Sequence, residues 1–188
     1  IVSEANKVFN KPKYQNSFDS FLKATQSFAS FLGRTLGVDL CVIGYNKQGI
    51  LEDTGIYVDQ GLEAILPHLD SRKSIEYHLS FVGNFFDTRN QIFFWDFNVS
   101  PNIYSTDAWK KMFPEFHYDL VYLNRLAEYF NPIPDVKNVL ISPIRNRDPK
   151  STLLVYIIVA NLPEMVLPKA EKVLTSTSLI LAESFESN

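Results

Sequence analysis

Cysteine is close to absent from this chain. Cys41 stands alone in 188 residues, which excludes an internal disulfide and any zinc cluster built on thiolates. It lies between Leu40 and Val42 in an apolar run, so it reads as a buried, inert thiol. Histidine is scarce too: His68, His78 and His117 are the only three, and no two are spaced as a helical ligand pair, so no metal is expected. The formal net charge is −3 and no run of Lys or Arg exceeds two residues. That lacks the electrostatic footprint of a nucleic-acid surface, so this segment is expected to make no direct nucleic-acid contact. No apolar run approaches the roughly 20 residues of a membrane helix, and the first ten residues hold no signal-peptide core. The expected setting is cytoplasmic, without membrane contact. Gly-x-Ser-x-Gly, His-Glu-x-x-His and a glycine-rich phosphate loop are all missing, so the chain is expected to be no enzyme, with no catalytic residue and no cofactor.

What is present is an ordinary globular composition, 46% hydrophobic and 21% charged, in a length that suits one domain with a real core. Residues 1–16 are polar, carry Pro12 and show no clean period, and so read as a partly helical lead-in that precedes a single domain over 17–188. Ser17 offers an N-cap, and Phe18, Phe21, Leu22, Phe28, Ala29 and Leu32 then recur at helical spacing until Gly33 and Gly37 end an amphipathic helix. Residues 38–45 and 50–58 flank the turn 46–49 and predict a hairpin. Its second strand carries Glu52 and Asp53, which suits a sheet edge. Helical patterns follow over 62–69 and 74–86, then an aromatic strand over 91–97. An insertion-like helical region spans 99–134. The strands 138–144 and 152–160 flank a polar turn, and a helix over 168–185 closes the chain. Both faces of the last strand are apolar, which places it in the sheet interior. A start at Ile1 and a stop at Asn188 just after a helix suggest a piece of a longer protein.

The segment Val139-Leu140-Ile141-Ser142-Pro143-Ile144 resembles the strand that ends hydrophobic-x-Pro-hydrophobic before the final hairpin of GAF domains. Leu162-Pro163 and the closing helix ending Ser178-Leu179-Ile180-Leu181-Ala182-Glu183-Ser184-Phe185 are similar to that family's last loop and helix. The order of elements matches from about Ser17 to Phe185; PAS domains share the sheet logic but generally lack the leading helix. The resemblance implies an α+β fold with a central antiparallel sheet of five or six strands, flanking helices, and N- and C-terminal helices packed together. It also implies a sensory domain of a bacterial signalling or transcriptional regulator. The Asn-Lys-Phe-Asp-Glu signature of the cyclic-nucleotide-binding branch is missing.

Aromatic residues make up 14% of the chain, with 15 Phe, and they cluster between Tyr77 and Phe130. Phe93, Trp95, Phe97, Tyr104, Trp109, Phe113, His117, Tyr118 and Tyr122 are the candidate lining of a ligand chamber: rings supply apolar area, while Trp, Tyr and His supply orienting polar groups. A solid aromatic core is the competing reading. His117 beside Tyr118 and Asp119 suits a helix cap or a surface position, and Arg145, Arg147 and Lys150 suit a solvated hairpin tip. In the closing helix Ala170, Leu174, Thr177 and Leu181 recur at three and four, widened by Val173 and Ile180. Such a stripe serves either the sheet or a partner helix, and small residues at 170, 177 and 184 favour a homodimer. The expected role is a small-molecule-sensing regulatory domain that controls an output domain, a transcription factor or kinase, outside this segment. The alternative is a ligand-free dimerisation module of a regulator.

Overall fold

The strand Leu153–Ala160 carries no charge, and its six residues from Val155 to Ala160 are all buried. Such a strand needs a neighbour at each edge and a cover on each face, and it lies at the centre of the sheet. The computed structural model describes residues 1–9, 18–47, 50–59, 93–96, 136–145 and 153–186. In chain order these form α1 (Val2–Phe9), α2 (Phe18–Leu36), β1 (Leu40–Lys47), β2 (Ile50–Val58), β3 (Phe93–Asp96), β4 (Asn138–Arg145), β5 (Leu153–Ala160) and α3 (Leu167–Glu186). The strands run in the order β2-β1-β5-β4-β3, every neighbouring pair antiparallel.

Register sorts the strand residues onto two faces, because directly opposed residues of a pair share a face. Cys41 opposes Val159, Ile43 opposes Ile157, and Tyr45 and Ile144 both oppose Val155. With Leu140 these form the first face, which the helices cover in one buried cluster. Val42 opposes Ile158, Ile141 opposes Ile158, and Val139 opposes Ala160. These lie on the second face, are buried as well, and stand outside that cluster.

α2 buries Phe21, Thr25, Phe28, Ala29, Leu32 and Leu36 along one stripe and packs on β1 and β2. Its end is set by Gly37 at φ 71°. There Val38 N–H donates to the Gly33 carbonyl at 3.1 Å and Gly37 N–H to the Arg34 carbonyl at 3.3 Å, the bonding of a Schellman cap. β2 lies at one sheet edge, where its charge pattern predicts it. Gln26 closes part of that edge: its amide nitrogen donates to the Ile56 carbonyl at 2.9 Å and its amide oxygen accepts from Ile56 N–H at 3.1 Å. Two backbone groups that would otherwise template another strand are thereby satisfied.

Two expectations change. The sequence pattern leaves residues 1–16 as a partly helical lead-in outside the domain; residues 2–9 are a helix, but its Ala5 and Phe9 belong to the core cluster. An eight-residue helix is too short to show a convincing period, and only tertiary packing stabilises it. The stripe assigned to a partner helix is occupied within the chain: Ala170, Leu174, Thr177 and Leu181 are each 0% exposed. α3 packs on β4 and β5 and also on α1. Ser178 Oγ meets Ser142 Oγ of β4 at 2.9 Å. Ser184, the last small residue of the stripe, donates to the Phe9 carbonyl at 2.8 Å. The helix that approaches there is α1 of the same chain.

Truncating Phe9 to Ala therefore costs about 3–5 kcal/mol, the usual loss for a buried ring. Urea denaturation reads it as a lower midpoint at unchanged slope. A residue in a solvated lead-in would change the stability by no more than about 0.5 kcal/mol.

Candidate functional site

The second face of the sheet is an apolar floor. Val42, Val139, Ile141, Tyr156 and Ile158 contribute to it, all of them 2% exposed or less. The described helices α1, α2 and α3 all join the cluster on the first face. Phe93 pairs with Ile141 and Trp95 with Val139, so register puts both β3 positions on the second face. The structure thus brings two of the expected chamber residues to one side of one edge strand. Phe97, Tyr104, Trp109, Phe113, His117, Tyr118 and Tyr122 lie outside the described residues, as do Arg147 and Lys150.

A different aromatic group stands on the first face. The Phe9 ring meets Phe21 at 5.6 Å and Phe28 at 5.3 Å between centroids, both edge to face. Phe21 meets Tyr45 at 5.1 Å, and Tyr45 lies 4.7 Å from Phe185. These rings come from α1, α2, β1 and α3, so they join three helices to the sheet. Each such pair adds roughly 0.5–1.5 kcal/mol beyond its buried area. The Tyr45 hydroxyl is buried beside Thr25 without a well-aligned hydrogen bond, and Thr25 Oγ1 donates to the Phe21 carbonyl at 2.7 Å. Burial holds the Tyr45 phenol well above its ordinary range, and the Thr25 hydroxyl acts weakly in the opposite direction.

Polar chemistry gathers where β4 begins and β5 ends. Asn161 follows β5 at φ 62°. Its amide nitrogen donates to Asp39 Oδ2 at 2.9 Å, and its amide oxygen accepts from Lys137 N–H at 2.6 Å and more distantly from Asn138 N–H at 3.4 Å. Asn138 answers with its own amide: the nitrogen donates to the Leu162 carbonyl at 3.0 Å and the oxygen accepts from Leu162 N–H at 2.8 Å. These bonds stitch together the start of β1, the start of β4 and the end of β5. Asp96, the last residue of β3, pairs with Asn138 at the same end.

Other features are chemically quiet. Cys41 is fully buried and burial pushes its thiol far above the ordinary range, as a strand cysteine between apolar neighbours predicts. Among the described residues no cluster of three or more His, Cys, Asp or Glu could hold a metal. No described helix is long and apolar enough to cross a membrane. An open groove of about 560 Å³ runs between α1 and α2, with Val8, Ala24, Phe28 and Phe31 along it and Glu4 and Lys23 on its walls.

The fold is that of GAF domains. The phycoerythrobilin-bound GAF domain of a cyanobacterial phytochrome superposes with a TM-score of 0.52 at 12% identity, covering 98% of this chain and 95% of that one. A bacteriophytochrome from the photosynthetic bacterium R. palustris gives 0.51 at 15% identity, covering 98% of this chain and 36% of that one. The chromophore-binding domain of an unusual bacteriophytochrome from R. palustris gives 0.50 at 14%, covering 98% and 59%. No family model matches the chain, and no curated protein matches its sequence. The likeness is one of architecture.

Two outcomes test this description. Asn161→Gly keeps the left-handed backbone and removes only the side-chain bonds, so it costs about 1–3 kcal/mol in urea unfolding. Asn161→Ala adds roughly 1–2 kcal/mol for the positive φ. Cys41 stays unmodified by a thiol-reactive dye at pH 8 in the native protein and reacts fully in denaturant, because the thiolate is the reactive form and burial suppresses it.

Proposed function

We propose that this chain is a sensory regulatory domain that binds a small molecule over the second face of its sheet. One observation carries the reading. Five apolar side chains of β1, β4 and β5 form a continuous buried floor, register adds the positions of Phe93 and Trp95 to it, and every described helix is engaged on the opposite face. A largely apolar, concave site with aromatic walls is the usual make-up of a small-molecule pocket. The phytochrome GAF domain named above carries phycoerythrobilin. Cys41 is buried on the first face, so a covalent bilin through the lone thiol does not suit this chain; the ligand is non-covalent.

Binding biases an output domain, a transcription factor or kinase, in a larger cytoplasmic bacterial protein. The ligand does so by favouring one arrangement of the terminal helices over another, and its leverage equals its difference in affinity for the two. The chain performs no chemistry on the ligand. Dimerisation, where it occurs, uses surfaces other than the buried stripe of α3.

The near-complete burial of the same floor supports a second reading, in which the face is filled by the chain itself and the domain serves to dimerise. Thermal unfolding against amino acids, nucleotides, purines and short fatty acids separates the two. The sensing reading expects one class to raise the midpoint in a concentration-dependent way, the stabilisation reaching about 2.7 kcal/mol at a hundredfold excess over Kd. Trp95→Ala then removes that rise while circular dichroism stays native. A flat response across the panel, with a mass in light scattering that grows with concentration, selects the second reading.

A further inference from the structure

Gly44 and Tyr156 face each other across the β1–β5 pair. The Tyr156 ring reaches over β1 so that its Cζ and hydroxyl oxygen stand where a β-carbon on Gly44 would be. Only glycine leaves that notch. The β1–β2 register also shifts between Ile43 and Gly44: Ile43 opposes Gly55, Gly44 opposes Asp53, and Thr54 is the extra residue. The bulge lies in β2 and interrupts the β1–β2 ladder beside Gly44, while β1 stays paired with β5 without a break from Leu40 to Tyr45. The next residue, Tyr45, points to the other face. There its ring lies 4.7 Å from Phe185 and 5.1 Å from Phe21, and no well-aligned hydrogen bond anchors its hydroxyl. Phe185 follows Ser184, whose hydroxyl holds the last carbonyl of α1.

We infer that Tyr156, seated in the Gly44 notch, reports occupancy of the second face to the last turn of α3. The inference rests on the proposed site and assigns its regulation. Tyr156 is part of the floor, so a ligand that lies on the floor either presses the ring into the notch or takes its place. When the ring leaves, β1 loses the packing that fixes Gly44, and the backbone relaxes at the bulge. Tyr45 moves with its backbone because side chains alternate across one strand. Its ring carries the shift to Phe185, and the Ser184 to Phe9 bond carries it on to α1. Both terminal helices then respond to one residue on the opposite side of the sheet. The route is contiguous contact through a single strand, and the inferred switch runs between the ring-in packing seen in the structure and a ring-out packing that the ligand would favour.

Hydrogen exchange on the full chain tests the path without any ligand, so a broken path and an absent ligand site give different results. Tyr156→Leu empties the notch and keeps the floor apolar. The expected result is exchange roughly tenfold faster in residues 181–186 and in α1, with residues 167–174 of the same helix unchanged. Faster exchange confined to β1 and β5 overturns the inference, and so does a uniform rise across all elements. Should Tyr156→Leu not fold, Phe185→Leu decides from the other end, since coupling is reciprocal. It is expected to speed exchange at Gly44 and Tyr45 while residues 139–141 keep their protection. Unchanged exchange at Gly44 in that variant overturns the inference equally.

Discussion

The structure depends on a strand that cannot face water on either side. β5 pairs with β1 along one edge and β4 along the other, so its backbone groups are satisfied within the ladder and its side chains must be buried above and below. Exposing one face of such a strand would forfeit roughly 25 cal/mol for every Å² of apolar surface. The helices meet half of this requirement: α2 covers the β1–β2 side, α3 covers β4 and β5, and α1 joins the two helices. The other half creates the floor on which the functional reading stands.

Polar contacts in this molecule close boundaries, while apolar burial holds its layers together. Gln26 seals part of the β2 edge with a paired amide contact. Asn138 and Asn161 lock the sheet end through reciprocal bonds to backbone. Ser142 and Ser178 satisfy each other inside the core, where an isolated hydroxyl would carry a desolvation cost of about 1–3 kcal/mol. Thr177 Oγ1 is buried without a hydrogen-bond partner among the described residues.

Much of this was legible in the residues. The run from Leu153 to Ala160 announces an interior strand because neither alternate set is polar. The spacing of Phe21, Phe28, Ala29 and Leu32 announces the buried stripe of α2, and Gly37 announces its end. What the pattern cannot show is which cover a stripe meets. The small residues of α3 fit a second copy as well as they fit α1, since periodicity records only that a face is buried. The aromatic cluster of Phe9, Phe21, Phe28, Tyr45 and Phe185 was invisible for a related reason: its members are scattered along the chain and meet only after folding. Of the proposed site, the β3 positions Phe93 and Trp95 were readable as an aromatic strand. The floor residues of β4 and β5 read only as core, because a core and a pocket floor share one composition. Tyr156 could not be paired with Gly44 before the register was known.

The order in which the sheet is assembled has a further effect. β1 and β2 leave the ribosome early as a hairpin, but β5, the neighbour β1 needs on its other edge, is among the last elements to be made. Until then the hairpin carries an open edge and two apolar faces, with α2 able to cover only one of them. Pairing strands from opposite ends of a chain is slow, and an unpaired edge invites association with other chains in the meantime. The nascent domain is therefore expected to depend on chaperone shielding for most of its synthesis, and to commit to its fold only when the final third emerges.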